Sequence, residues 1–386
     1  ARIYFNTTPD SLRLEQSALL VGMVQNPTLF NPIRKPKNAL ARRNEVLYKM
    51  YKYDFVTKAQ YDSLKQLKLK INYHPEDQNQ GMATYFREFL RDYMKDWCKH
   101  NKKPDGSTYN IYKDGLKIYT TINSRMQQYA EQSVNEWLGK ELQEKFFKHW
   151  KGVKNAPFYR MNQKDVDKLM LVSMRRSERY RVMKEQGVSE DSILMAFKKP
   201  VEMTVFSYKG EFDTIMSPMD SMRYYKYFLQ SGFMSMDPHT GYIKAWVGGI
   251  NYSHFKYDHV KMGKRQVGST FKPFVYALAM QEGWSPCYQV PNIPVSFELP
   301  EGGSWSPKNS DGKYGGMMTL KKGLATSTNS ITAYVMKQFG PQAVVDLARK
   351  MGIESQLDAV PSLCLGTCDI SLYEMVGANA TFANQG

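Results

Sequence analysis

The chain has 386 residues, 42% hydrophobic and 13% aromatic, and carries a net charge of +16. Such a length and apolar content predict two or three domains with a sizeable core and exclude a disordered polymer. Four scattered cysteines exclude a disulfide-built scaffold, and no run of 18 apolar residues is present to suggest a membrane-spanning helix. Cys364 and Cys368 form a C-x3-C pair without the second pair or the histidines that zinc needs, so they read as buried thiols. No metal and no cofactor is expected.

Half of the positive excess falls in residues 1–75, where 13 Lys/Arg face 5 Asp/Glu. A surface of that kind attracts anionic lipid headgroups or pyrophosphate-bearing substrates. No zinc-finger or RNP-type signature accompanies it, so no nucleic-acid partner is expected.

Along the chain, Thr8-Pro9 predicts a helix start with proline at the first position, and apolar residues then recur at helical spacing through Leu19, Leu20 and Met23. The stretch from Lys37 to Leu64 reads as two helices, the second capped by Thr57. A polar break, HPEDQNQGM at 74–82, marks a boundary. A helix over 84–98 and a loop follow, and LKIYTTI at 116–122 alternates like a half-buried strand. A long amphipathic helix is predicted from Ser124 to Lys148, then a weakly patterned, charged accessory or linker region over 150–200. GFMSMDPHTGYIKAWVGG carries two alternating runs around Asp-Pro-His-Thr-Gly, a hairpin signal. Helices dominate from Ser269 onward: 269–282, 319–339 with a break near Ser327, 341–351 and 371–384. Strands before a helical cluster predict an α/β or α+β domain.

Three S-x-x-K tetrads occur, starting at Ser253, Ser269 and Ser310. Only Ser269 stands at the mouth of an apolar helix, FVYALAM. Spacing i to i+3 puts Ser269 and Lys272 on one helix face. The helix start offers backbone N–H groups to a developing alkoxide. Flanking Phe271, Pro273 and Phe274 would desolvate Lys272, lower its pKa and supply a neutral amine as base. Gly268 would let substrate approach the backbone. The competing reading is an N-cap serine beside a solvated first-turn lysine. Ser327-Thr328-Asn329 breaks a second helical pattern with polar groups suited to a proton relay and to holding a substrate amide. Between them, Trp305, Pro307 and Asn309 (W-x-P-x-N) lie on a glycine-flanked loop suited to the wall of a peptide groove.

RQVGSTFKPFVYALAM, W-x-P-x-N and LATSTNSITA, in this order, resemble the penicillin-binding proteins, whose motifs run S-x-x-K, S-x-N, K-T-G. DPHTGYIKAWVGG before the nucleophile and SLCLGTCDISLYEMVGANATFANQG after it fit the same pattern. EQSALLVGMVQNPTLFNPIRKPKNALARRNEVLYKM is similar to the end of the glycosyltransferase domain of the class A, bifunctional members, and GLKIYTTIN to the entry into their second half.

The resemblance implies an α+β penicillin-binding/β-lactamase-like transpeptidase domain, a helical cluster against an antiparallel sheet, preceded by a helical glycosyltransferase remnant. It implies three segments: 1–75 as the end of the glycosyltransferase domain, 76–225 as a linker or accessory region, and 226–386 as the transpeptidase. It also implies roles for residues: Ser269 as nucleophile, Lys272 as proton acceptor, Ser327 as relay, and Asn329 orienting the acyl donor's amide. Gly268, Trp305 and Asn309 would line the substrate groove. Implied partners are D-Ala-D-Ala stem peptides, lipid II, glycan strands, β-lactams and an anionic membrane surface. The implied location is the extracytoplasmic cell envelope, with the anchor outside this sequence.

Two departures stand out. The glycosyltransferase carboxylates and the K-T-G motif are both absent, so the chain is expected to be cut at both ends and to lack glycan polymerisation. A carboxypeptidase or β-lactamase-like hydrolase, and a catalytically silent wall-binding scaffold, are the alternatives.

Overall fold

In the computed structural model, residues 1–73, 81–299 and 302–384 are described, and the chain divides into two units, Ala1–Gln80 and Gly81–Gly386. Most of the polar break at 74–82 lies outside the described residues.

The first unit is helical: α1 (Arg2–Phe5), α2 (Leu14–Val24), α3 (Pro36–Lys52) and α4 (Lys58–Gln66). Thr8-Pro9 opens only a single 3-10 turn, Pro9–Ser11, and the helix proper begins at Leu14. The Thr8 hydroxyl donates to Ser11 Oγ instead of capping a backbone N–H. Thr57 does cap α4, in a reciprocal box with Gln60. Arg43, 1% exposed, spends its guanidinium on Asn44 Oδ1 and on the Leu64 and Lys65 carbonyls, tying α3 to the end of α4. A buried cation is tolerable only with such acceptors.

The second unit opens with α5 (Thr84–His100). Residues 116–122 form no strand. The segment runs beside a later strand, through Thr121 Oγ1 to the Ile243 carbonyl and Asn123 N–H to the Lys244 carbonyl. Asn123 then caps α6 (Ser124–Val134), which continues through a π-helical stretch, Asn135–Leu142, into α7 (Gln143–Trp150). Two buried glutamines on this long helix act as substitute peptide groups. Gln127 donates to the Trp246 carbonyl and accepts from the Trp246 N–H, at 2.8 and 2.7 Å. Gln143 donates to the Tyr227 carbonyl and accepts from the Leu229 N–H, both at 2.8 Å.

Residues 150–200, read as an accessory or linker region, carry regular helices. They form α8 (Gln163–Arg175), α9 (Glu178–Glu185) and α10 (Glu190–Lys198), capped by Asn162, Ser177 and Ser189. Met174, Ile193 and Phe197 make a core of their own. The hairpin β1 (Val201–Val205) with β2 (Phe212–Met216) and α11 (Pro218–Tyr225) follow.

The predicted hairpin forms as β3 (Phe233–Met236) with β4 (Ile243–Val247), antiparallel, its turn held by Asp237 accepting from the His239 and Thr240 N–H groups. Beyond it lie β5 (Lys264–Gln266), a 3-10 turn Gly268–Phe271 and α12 (Lys272–Gln281). Next come β6 (Gln289–Pro291), β7 (Phe297–Glu298), β8 (Ser304–Trp305), β9 (Met317–Thr319), α13 (Leu320–Ala325), α14 (Asn329–Phe339) and α15 (Pro341–Lys350). A 3-10 turn (Pro361–Leu365), β10 (Asp369–Ser371) and α16 (Leu372–Ala380) complete the chain. The described strands form five antiparallel two-stranded pairs: β1 with β2, β3 with β4, β5 with β10, β6 with β9 and β7 with β8. The fold is α+β.

The main core surrounds α12, whose Phe274, Val275 and Ala279 are fully buried against Ile331, Val335 and Met336 of α14. Burying each such large side chain is worth about 1.5–3 kcal/mol, so α12 and α14 are held as one block. Glu374 on α16 is the most heavily hydrogen-bonded carboxylate of this region. It accepts from the Glu354, Ser355 and Ser371 N–H groups and from the Ser355 and Ser371 hydroxyls. Burial pushes its carboxyl up, but the donors outweigh burial and hold it at about 2.

Candidate active site

Ser269 sits in the 3-10 turn that leads into α12, exposed, and its Oγ makes no hydrogen bond among the described residues. In 3-10 geometry residues i and i+3 eclipse, so Ser269 and Lys272 fall on one side of this helix start. The turn is fixed from behind by a second backbone. Val267 N–H donates to the Cys368 carbonyl at 3.1 Å and Gly268 N–H to the Gly366 carbonyl at 2.9 Å, extending the β5–β10 pairing up to the serine. Gly268 and Gly366 have φ of 56° and 69°, in the region that favours glycine. A Cβ added at Gly366 would fall on the Gly268 peptide, 2.7 Å from its carbon. Sequence reading missed Gly366, although a lone glycine between two cysteines in an otherwise apolar turn is a signal of close backbone approach.

Lys272 is 1% exposed, and its chain neighbours Phe271 and Phe274 are fully buried. Its Nζ donates to the Ser327 carbonyl at 2.7 Å, to Ser327 Oγ at 3.0 Å and to Asn329 Oδ1 at 2.7 Å. The solvated first-turn lysine is thereby ruled out. Burial pushes the ammonium below the ordinary lysine value. Cys364 is pushed up to about 12 by burial and stays a thiol.

These three partners differ chemically. The carbonyl and the amide oxygen only accept, whereas a hydroxyl both accepts and donates. Ser327 Oγ is therefore the one partner through which a proton can leave Lys272. The turn presenting it lies between α13 and α14, with Ser327 at φ 54°. A non-glycine residue there costs of order 1–3 kcal/mol and persists only where its surroundings enforce it. Asn329 opens α14, and its Nδ2 donates to the Lys308 carbonyl at 2.8 Å.

The structure thus brings Lys272, Ser327 and Asn329 into contact, at the helix start that bears Ser269. Gly268 adjoins Ser269, and the other two groove candidates are each held by packing or hydrogen bonds. Trp305 packs against Phe297 at 5.7 Å between ring centroids, on the edge of the core. Asn309 is 6% exposed, its oxygen accepting from the Ser330 N–H and its nitrogen donating to Asn292 Oδ1 and the Lys313 carbonyl. With both ends of its amide engaged, it backs the site instead of lining it. Ser253 and Ser310 are exposed on turns with no helix behind them. A cleft of about 910 Å³ opens beside the turn that carries Ser269, with Gln266, Val267 and Thr270 on one wall and Met375 and Asn379 on another.

Three families match, in chain order. They are transglycosylase at residues 1–51, the penicillin-binding protein middle domain at 153–229, and the penicillin-binding protein transpeptidase domain at 231–386. Among curated proteins, penicillin-binding protein 1A of Escherichia coli is 26% identical over the whole of this chain and 48% of its own length. The Aquifex aeolicus protein of that name is 28% identical, over the whole chain and 51% of its length. The chain spans about half the length of the curated relatives it matches. Among solved structures, penicillin-binding protein 1A from Haemophilus influenzae shares the fold, with a TM-score of 0.62 at 23% identity over 100% of this chain and 58% of the other.

Proposed function

This chain belongs to the class A penicillin-binding proteins, and on that premise we propose that its larger unit performs serine D,D-transpeptidation in peptidoglycan synthesis. The carrying observation is the buried Lys272 amine, held by Ser327 and Asn329 at the helix start that bears an exposed Ser269. Ser269 Oγ attacks the carbonyl carbon of the penultimate D-alanine of a stem peptide, and its proton passes to Lys272. The Ser269 N–H, an unpaired donor at a helix start, faces the developing oxyanion. The C–N bond breaks, the terminal D-alanine amine takes a proton relayed through Ser327, and Ser269 is left as an ester. The amine of a neighbouring stem peptide then attacks that ester, forming the cross-link and returning a proton to Ser269. Asn329 orients the acyl donor's amide. β-Lactams enter the same cycle, their ring amide standing in for the D-alanine amide.

The proposal keeps residues 1–75 as the end of a glycosyltransferase domain, 76–225 as a linker and accessory region, and 226–386 as the transpeptidase. The basic first unit suits lipid II and glycan strands at an anionic membrane surface, on the outer side of the cytoplasmic membrane. None of the described helices is long and apolar enough to cross a membrane.

Labelling of the intact protein with a fluorescent penicillin, followed by mass spectrometry of the peptides, tests the assignment. The adduct is expected on Ser269. An adduct on Ser253 or Ser310, or none at all, would overturn it.

A further inference from the structure

Helix α14 begins without a cap of its own. Its N-cap residue, Thr328, makes no side-chain capping bond, because its hydroxyl is shared with Thr326 at 2.8 Å. The first N–H groups of a helix have no intrahelical partner and need one from elsewhere. Here the cap comes from a distant loop: Asn309 Oδ1 accepts from the Ser330 N–H at 2.9 Å. Asn292 Oδ1 then accepts from both Asn309 Nδ2, at 3.1 Å, and Ser330 Oγ, at 2.6 Å. Asn292 is itself pinned through its backbone to Gly315 and Gly316, and it is 7% exposed, while Ser330 is fully buried. The residues on either side of this network point at the chemistry. Asn329 and Ser327 are the groups that hold Lys272, and Asn329 reaches the neighbouring Lys308 carbonyl as well.

We propose that Asn292, Asn309 and Ser330 are positioning residues for the transpeptidase reaction: a buried amide–amide–hydroxyl network that caps α14 from outside and so fixes Ser327 and Asn329 on Lys272. The inference rests on the transpeptidase reading. Physically, the Ser327 turn is strained at φ 54° and relaxes unless held. A network whose members satisfy one another buried is a rigid mount. Removing one acceptor leaves two donors unpaired, and the helix start then shifts to find water.

The discriminating pair is Asn292→Asp against Asn292→Leu in the intact protein. Asn292 contributes to the network through its oxygen, which aspartate retains and leucine, of similar shape, does not. Penicillin acylation is resolved into the dissociation constant of the initial complex and the rate constant of the covalent step. Amide exchange is followed over residues 327–332. Asn292→Leu should lose about 10²-fold in the covalent step, as expected for a group misplaced by an ångström, with little change in the dissociation constant and faster exchange at Ser330. Asn292→Asp buries a carboxyl that costs stability, but the Asn309 Nδ2 and Ser330 Oγ donors still face its oxygen, so the covalent step should stay within about 10-fold of the unsubstituted protein, a smaller loss than in Asn292→Leu. If Asn292→Leu gives no cooperative melt, Ser330→Ala removes a single hydroxyl and should cost about 5-fold in the same step.

Wild-type rates in Asn292→Leu, or equal losses in both variants, would overturn the proposal. Failure of the unsubstituted protein to acylate at Ser269 would refute the transpeptidase reading instead. In that case unchanged exchange at Ser330 in Asn292→Leu still overturns the network, and faster exchange in that variant alone supports it.

Discussion

Gly366→Ala should slow acylation of Ser269 although residue 366 carries no side chain and is nearly a hundred positions away in sequence. The added Cβ would overlap the Gly268 carbonyl oxygen and stand 2.7 Å from the Gly268 carbon and 2.8 Å from its nitrogen, where ordinary contacts begin near 3.4 Å. All three are backbone atoms, so no side chain can swing aside, and the two segments must part by more than an ångström. Three costs follow. Alanine in the left-handed region at φ 69° costs about 1–2 kcal/mol. The Gly268 N–H to Gly366 carbonyl bond is weakened, at about 0.5–1.5 kcal/mol. Ser269, one residue along, is displaced relative to Lys272, which reduces rate by about 10²-fold for a shift of that size. The assay is the second-order rate constant for a fluorescent penicillin, with a melting curve beside it. Gly283→Ala is the control: Gly283 has φ 86° and nothing within 4 Å of an added Cβ, so it should lose stability by about 1 kcal/mol and no rate. Rates equal to wild type in Gly366→Ala, or equal losses in the two variants, would refute the idea that Gly366 seats the nucleophile.

Lys272→Ala should slow acylation by about 10²–10⁴-fold, the usual contribution of a positioned base, in a fold that still melts cooperatively. In the unsubstituted protein acylation should rise with pH, because the neutral amine is the reactive form. Since burial depresses this lysine, the rise should centre below the ordinary value of about 10.4, and a profile centred at or above that value would contradict the base assignment. Ser327→Ala should lose rate by about 10²-fold through the missing relay, and Ser327→Gly should lose as much rate while gaining about 1 kcal/mol of stability from relief of the left-handed strain, a split readable from paired rate and melting measurements. Glu374 is held at about 2 in the fold, below its unfolded value of about 4.3. Its stabilisation is therefore complete above the unfolded value and is lost as pH falls from there through about 2, and Glu374→Gln should flatten that part of the stability–pH curve. An unchanged acid limb would show that the five donors around this carboxylate do not outweigh its burial.

What was legible in the sequence was local. A serine and lysine three apart before an apolar helix, a polar step in a second helix and an Asp-Pro-His-Thr-Gly turn each announce themselves over a few residues, and the structure forms all three. The LKIYTTI segment has strand periodicity, yet Lys117–Thr121 are all exposed, and among the described residues it reaches the β4 backbone through Thr121 Oγ1, with Asn123 N–H just beyond it, so its alternation corresponds to no buried face and no ladder. Residues 150–200 looked unpatterned because methionines and charges blur the apolar stripe, yet Asn162, Ser177 and Ser189 were in place as caps. Asn309 shows the other limit. Its position on a loop beside a tryptophan suits a groove wall, and only three-dimensional neighbours such as Ser330 and Asn292 turn its amide inward. Contacts separated by many residues leave no periodic trace.

The π-helical stretch between α6 and α7 sets a rotational phase. Sixteen residues separate Gln127 from Gln143, and a regular α-helix would bring the second about 160° around the axis from the first. A π-type bulge amounts to one inserted residue, and it takes back roughly 100° of that turn. The two glutamines therefore come round to neighbouring sides of one continuous helix, where they read the Trp246 and the Tyr227–Leu229 backbone respectively. Because each amide reads only main-chain atoms, the arrangement is indifferent to which side chains those residues carry. Length, by contrast, is locked: one residue more or fewer between the glutamines would dial the second out of alignment, while many substitutions would pass unnoticed.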